Sequence, residues 1–225
     1  MNPSGLYPLL ERAAKNWPNE TAISSRLGEF TFGQLDAAAQ LLARQFRESG
    51  IEPGHKVGIL CPSGPAYIIA SFALFLIDGI VVPIFPGLKP SEVSELATGL
   101  EINFVCFDPS FKDLFEDDAL PRTVAIRQLE GGVNFHLMRY GPAGLSNPPD
   151  PRLLKISAPL LRFTSGTTSA AKGVIIPQPA MLEYTKRFAT SYSIERGDGV
   201  LNLLSMAHIF YQVTAGLLQG ARLVV

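Results

Sequence analysis

Cysteine is scarce in this chain: Cys61 and Cys106 are the only two, and each sits inside an apolar run, VGILC and NFVCF. So few thiols exclude the disulfide framework on which small secreted domains rely, and their settings point to buried, reduced side chains in a cytoplasmic protein. An excess of charge of one sign is equally missing. The formal net charge is −1 and no block of Lys or Arg occurs, which argues against a nucleic-acid surface or a polybasic membrane patch. The opening stretch MNPSGLYPLLERAAKNWPNE lacks the basic segment and long apolar core of a secretory signal, and residues 6–14 read instead as a short amphipathic helix. His136 and Cys106 have no companions at metal-ligand spacing, so no protein-held metal site is expected. Internal repeats and low-complexity tracts are absent as well.

An unbroken apolar run of membrane length is also lacking. The nearest candidate, AYIIASFALFLIDGIVVPIF at 66–85, has the length to span a bilayer, but Asp78-Gly79 and Pro83 interrupt it. The pattern predicts a buried helix over 65–77, a stop at Asp78-Gly79, and a strand IVVPIF covered on both faces.

What the chain does have is a hydrophobic fraction of 47% against 17% charged residues, enough for a substantial core. EFTFGQLDAAAQLLARQFRESG predicts a helix capped by Thr31 with Gln34 three residues on, ended by Gly50, with Leu35, Ala38, Leu42 and Phe46 along one face. A turn at Glu52-Pro53-Gly54 leads into a strand VGIL, and a helix near 91–99 precedes a strand NFVCF. Residues 108–122 and 141–151 read as loops. Later come a strand GVII, a helix around 179–192, a turn at Arg196-Gly197-Asp198, a strand LNLL, a helix through VTAGLLQG and a strand ARLVV. Glu183, Lys186, Arg187, Glu195 and Arg196 read as solvated helix faces and turns. Strands alternating with helices predict an α/β fold of layered, mostly parallel sheets flanked by helices. A closing apolar strand is expected to belong to an unfinished domain, so residues 1–225 are read as the N-terminal portion of a larger one.

Between LLRF and GVII lies a different kind of segment. Thr164, Ser165, Gly166, Thr167, Thr168, Ser169, Lys172 and Gly173 offer hydroxyls, unhindered backbone N–H groups and one cation, the means to hold phosphate oxygens. It is not a Walker A loop, because GxxxxGK(S/T) would need Gly at Ala171 and Ser or Thr at Gly173. By composition alone, such a cluster between apolar segments is usually a solvated turn.

The flanking residues separate the two readings. FTSGTTSAAKGV resembles, without a gap, the signature (Y/F)TSG(S/T)TGxPKGV of the adenylate-forming, AMP-binding ligases: acyl-CoA synthetases, luciferases and peptide-synthetase adenylation domains. Ser169 stands for the family's Gly and Ala171 for its Pro, which implies a loop less ready to close on phosphate, since Gly takes positive φ cheaply and Pro stiffens the empty loop. TFGQLDAAAQLLARQFRESGIEPGHKVGILCPSG and FALFLIDGIVVPIFPGLKPSEV resemble the family's opening segments. His55 replaces the usual Asp of PGD there and is expected to be exposed in its turn. LLSMAHIFYQVTAGLLQGARLVV resembles the stretch PLxHxxG, helix, GAxxVL. His208 falls on the histidine that lines the acyl pocket in many acyl-CoA synthetases, with a hydrogen-bonded core histidine as the alternative. Ser205 replaces the usual Pro and Tyr211 the usual Gly, a change that can shorten an acyl channel.

The resemblance implies a two-step ligase. A small-molecule carboxylic acid, fatty or aryl, attacks the α-phosphate of ATP, pyrophosphate leaves with Mg²⁺, and the acyl-adenylate passes to CoA or a carrier-protein thiol. Residues 164–169 with Lys172 and Gly173 would hold the β- and γ-phosphates, Lys172 as a point charge on the leaving pyrophosphate, and His208 would sit near the acyl group. The adenine-binding segment, the ribose-binding aspartate and the mobile lysine-bearing domain would lie beyond Val225, so little or no ligase activity is expected of these residues alone. Three alternatives stay open: an amino-acid-activating adenylation domain, a non-catalytic binding or scaffold module with a degenerate loop, and, more remotely, a phosphotransferase of another fold.

Overall fold

The computed structural model describes residues 5–115, 124–128, 133–140, 148–157, 159–164 and 172–225, with the backbone alone at 124–128, 164, 172, 207–209 and 211. Helix α1 (Tyr7–Asn16) buries Tyr7, Leu9, Leu10, Ala13 and Ala14, the stripe that its spacing predicts. A hairpin of β1 (Thr21–Ser25) and β2 (Gly28–Thr31) follows, and the chain enters α2 (Phe32–Glu48). The capping box forms as expected: the Gln34 N–H donates to Thr31 Oγ1 at 3.2 Å while the Thr31 N–H donates to Gln34 Oε1 at 2.9 Å. Leu35, Ala39, Leu42 and Phe46 are buried in the core, and Ala38, half-buried, packs against it. Gly50, at φ 87°, turns the chain out of the helix.

Next come β3 (Lys56–Leu60), α3 (Pro65–Leu76), β4 (Ile80–Pro83), α4 (Pro90–Gly99) and β5 (Phe104–Phe107). Helix α3 is apolar all round and is buried all round from Pro65 to Phe75, packed between α2 and the strands. Asp78 takes a left-handed φ of 56° and, with Gly79, stops the helix before β4. Among the described residues, no helix is long and apolar enough to cross a membrane. A 3-10 segment, Pro109–Phe115, fills the first part of the expected loop. The rest of the chain supplies β6 (Val124–Gln128), β7 (Asn134–Arg139), α5 (Pro151–Lys155), β8 (Leu160–Thr164), β9 (Lys172–Ile176), α6 (Gln178–Ser191), β10 (Gly199–Leu201), α7 (Met206–Gln219) and β11 (Arg222–Val224).

Two sheets result. The larger runs β6-β7-β5-β3-β4-β8-β9, with β5, β3, β4 and β8 parallel in its centre and antiparallel pairs at both edges. The smaller runs β10-β11-β1-β2, where β1 pairs parallel with β11 and antiparallel with β2. One face of the large sheet shares a core with α1, α2, α3 and α7, and Ile23, Phe30 and Leu223 of the small sheet join that core. The opposite face packs Val82, Val105, Phe107 and Leu161 against Val93, Leu96 and Leu100 of the α4 region. This is the layered, mostly parallel α/β arrangement that the alternation of elements predicts.

Two expectations need correction. His55 is not exposed but 4% accessible, because the Glu52-Pro53-Gly54 turn folds back and the Glu52 N–H donates to His55 Nδ1 at 2.9 Å while the ring lies 5.5 Å from that of Phe104. LNLL is not a strand: β10 ends at Leu201, and the Asn202 side chain donates to the Leu204 carbonyl at 3.0 Å, turning the chain toward α7 and leaving Leu203 82% exposed. Helix α7 accordingly starts at Met206, well before VTAGLLQG.

Candidate active site

In an open parallel sheet, ligands are taken at the carboxyl ends of the strands, where helix N-termini and loops converge. Four loops gather at that edge here, after Leu60, Pro83, Phe107 and Thr164. The serine- and threonine-rich segment belongs to the last of them. Strands β8 and β9 pair antiparallel until Thr164 faces Lys172 as a Cα partner, with Phe163 opposite Gly173 one step before. The two ends of the motif are thus neighbours at the carboxyl edge. Ser165, Gly166, Thr167, Thr168, Ser169 and Ala171 lie outside the described residues, as do the side chains of Thr164 and Lys172. Gly173 has a packing reason of its own: a Cβ there would come within 3.1 Å of both Leu100 Cδ2 and Leu161 Cδ1.

Helix α7 reaches the same edge from the other side of the core. The Met206 N–H donates to Ser63 Oγ at 3.0 Å, and the Gly64 N–H donates to Met206 Sδ at 3.4 Å, so the first turn of α7 is tied to the loop that follows β3. Phe210 extends the tie by packing its ring at 5.7–5.9 Å from those of Tyr67, Phe72 and Phe75 on α3. His208 occupies this first turn; its side chain, like that of Tyr211, lies outside the described residues.

The electrostatics of the edge are set by burial. Cys61, the first residue after β3, and Cys106 on β5 are free, and desolvation pushes both thiols up, so neither is a thiolate nucleophile near neutral pH. Tyr67 is held firmly protonated for the same reason. Among the described residues, no group of three or more His, Cys, Asp or Glu is placed to hold a metal ion. A cavity of 260 Å³ lined by Pro53, Phe75, Asp78, Gly79, Leu153 and Ser157 opens at the opposite, amino-terminal edge of the sheet, away from the motif. The surface residues behave as expected: Arg187 pairs with Glu183 at 2.8 Å one turn along α6, and Arg196 pairs with Glu20.

Two residues at this edge escaped the sequence reading, Arg162 and Tyr67. The available signal was the lone cation in LLRF, at a position that strand alternation assigns to the same face as buried Leu160.

Comparison with known proteins agrees with this fold. Residues 10–225 match the family described as AMP-binding enzyme. The nonribosomal peptide synthetase verP of Clonostachys rogersoniana is 28% identical over 211 residues, which cover 91% of this chain and 10% of verP. The structure of VinN in complex with 3-methylaspartate superposes with a TM-score of 0.76 at 19% identity, over 97% of this chain and 60% of VinN. O-succinylbenzoate coenzyme A synthetase (MenE) from Bacillus subtilis, solved with ATP and magnesium ion, gives 0.73 at 20% identity, over 96% of this chain and 56% of MenE. The chain therefore spans a tenth of that curated relative and somewhat more than half of these structural neighbours. The structural likenesses carry the fold, and the sequence match over nearly the whole length carries the family: the chain belongs to the AMP-binding enzymes.

Proposed function

We propose that this chain is the N-terminal portion, residues 1–225, of the large domain of an ATP-dependent acid ligase, which joins a carboxylic acid to AMP and passes the acyl group to a thiol. The observation that carries this reading is the register of β8 and β9, which brings Thr164 and Lys172 together at the carboxyl edge beside the anchored start of α7. In the adenylation step, a carboxylate oxygen bonds to the α-phosphorus of ATP and the bond to the pyrophosphate oxygen breaks. Backbone N–H groups and hydroxyls of Thr164, Ser165, Gly166, Thr167, Thr168, Ser169 and Gly173 would hold the departing phosphates, and Lys172 would offset their growing charge. ATP enters as its Mg²⁺ complex, in which the ion neutralises phosphate charge. His208 would border the acid. CoA or a carrier-protein thiol would accept the acyl group, and the protonated state of Cys61 and Cys106 fits an acceptor thiol from outside the chain. Cytoplasmic location belongs to the same proposal, supported by two free, buried cysteines.

ATP–pyrophosphate exchange in the full-length protein, run over fatty, aryl and amino acids, tests the reading. Exchange with at least one acid, reduced about a hundredfold or more by Lys172→Ala, is the expected result. Absence of exchange with every acid, together with no MgATP binding by titration calorimetry, would move the scaffold reading ahead. A second reading is favoured by one observation: the relative verP is a peptide synthetase, so an amino acid competes with a fatty or aryl acid as substrate. The same panel decides between them. These residues alone, lacking the remaining share of the neighbours' length, are expected to show no turnover above a Lys172→Ala control.

A further inference from the structure

Three neighbouring parallel strands, β3, β4 and β8, begin at the amino-terminal edge of the large sheet, and the cavity of 260 Å³ opens where the segments before them meet. Small-molecule pockets usually hold about 300–1,000 Å³, so this one has room for a small ligand. Two helices end against it. α3 contributes Phe75, with Asp78 just past its end, and α5 contributes Leu153 and Leu154, with Ser157 just past its end. The residue that turns left-handed after a helix is usually Gly, because a side chain is costly in that conformation. Asp78 at φ 56° and Ser157 at φ 47° stand in those places instead. Backbone hydrogen bonds hold both: the Gly54 N–H donates to the Asp78 carbonyl at 2.8 Å, and the Gln178 N–H donates to the Ser157 carbonyl at 2.9 Å.

Each helix thus brings its partially negative end and an oxygen-bearing side chain to one cavity. Asp78 is solvent-exposed, and its carboxylate forms no ion pair with any described residue. The last turn of α3 contains no basic residue to offset the charge. α5 does carry Arg152 and Lys155, but Arg152 is paired with Asp150 at 3.0 Å and neither lines the cavity. The other walls are largely apolar, with Pro53, Phe75, Leu153 and Leu154 among them. A calcium or magnesium ion would take six or more oxygen ligands, a shell for which such walls are unsuited. From this convergence we infer that the cavity binds a small organic cation, a primary ammonium on a short apolar chain. The ammonium donates to the oxygens of Asp78 and Ser157, and the chain lies against Leu153 and Leu154. The inference is independent of the acid-activation reading and adds a ligand to it.

The test is titration calorimetry on the full-length protein at about 50 mM salt, where screening is modest. n-Butylammonium chloride is compared with 1-butanol and with calcium chloride. Butylammonium should bind with a Kd below about 1 mM, and 1-butanol about tenfold or more weakly, because the neutral hydroxyl forgoes the charge-assisted hydrogen bond. Asp78→Asn keeps the shape and suits the left-handed turn; it should weaken butylammonium binding about tenfold or more without lowering the melting temperature. Ser157→Gly relieves the backbone and removes the hydroxyl, and should weaken binding severalfold while the melting temperature holds or rises. No saturable binding of butylammonium by the wild type overturns the inference. Binding that Asp78→Asn leaves unchanged overturns it too, by placing the amine elsewhere. Equal affinity for 1-butanol makes the cavity an apolar pocket without preference for a cation, and calcium binding that excludes butylammonium and disappears in Asp78→Asn makes it a metal site; either result refutes the assignment. None of these readouts involves pyrophosphate exchange, so acid activation stands or falls separately.

Discussion

Truncating Phe210 to Ala asks whether α7 is held at the carboxyl edge by its aromatic anchor. The ring is 3% exposed and packs against three others, with centroids 5.9 Å from Tyr67, 5.9 Å from Phe72 and 5.7 Å from Phe75. Loss of a buried Phe side chain forfeits its transfer energy and leaves a cavity, together about 3–5 kcal/mol. Oriented ring pairs add about 0.5–1.5 kcal/mol each beyond buried area, which puts this position in the upper half of that range. Against a typical total of about 5–15 kcal/mol, that is a large share of the stability. Phe210→Leu retains most of the apolar volume and should lose about 1–2 kcal/mol. Urea unfolding followed by far-ultraviolet circular dichroism gives the numbers, with the midpoint falling and the slope unchanged. Leu203→Ala, at a side chain 82% exposed, is the control and should stay within about 0.5 kcal/mol of wild type. A loss below about 1 kcal/mol for Phe210→Ala, or one no larger than that of Leu203→Ala, would refute the anchoring argument.

Three further outcomes are expected. Thr31→Ala removes the hydroxyl that caps α2 and should lower stability by about 1 kcal/mol, while Thr31→Ser should keep most of it, both read by urea midpoint. Gly220→Ala should cost about 1 kcal/mol or more, since Gly220 ends α7 at φ 74° and a Cβ there would lie 2.8 Å from the Trp17 ring; a melting temperature equal to wild type would contradict it. Burial, reinforced by Arg139 and opposed by Glu52, holds the His55 pKa below its ordinary value, so the folded protein keeps the ring neutral while the unfolded chain protonates near pH 6.5. Its stability contribution is therefore complete above that pH and is lost as pH falls from about 6.5 to the depressed folded value, with a slope of at most about 1.4 kcal/mol per pH unit, and His55→Gln should flatten that part of the urea-midpoint profile.

The parallel centre of the large sheet was legible because strands covered on both faces must be apolar throughout. VGIL, IVVPIF and NFVCF announce themselves in that way. The smaller sheet and the edges of the larger carry no such signal. β1 and β2 read TAISS and GEFT, short and half-solvated, and what fixes β1 is its parallel partner β11 at the far end of the chain. β7 buries Phe135 to Met138 but includes His136, whose ring stacks on Phe107 at 5.2 Å, so its pattern looks broken until the neighbour is known. The misjudged LNLL shows the converse: Leu201 pairs with Val224, but Leu203 and Leu204 beyond it are apolar and yet exposed in a turn.

The same contrast governs the site. The phosphate motif can be read from sequence since its chemistry is contiguous: residues 164–173 need only a hairpin to bring their ends together, and the register of β8 and β9 supplies one. Arg162 and Tyr67 are far apart in the chain, on a strand and a helix, and nothing local marks either as more than an oddly polar member of an apolar stretch. That both belong to one layer depends on three separate facts of packing: the face to which β8 turns Leu160 and Arg162, the position of α3 over β3 and β4, and the hydrogen bond from Met206 to Ser63 that ties α7 to the loop after β3. A short motif thus reveals the chemistry common to a family, whereas selectivity among its substrates rests on residues that only the tertiary fold brings together.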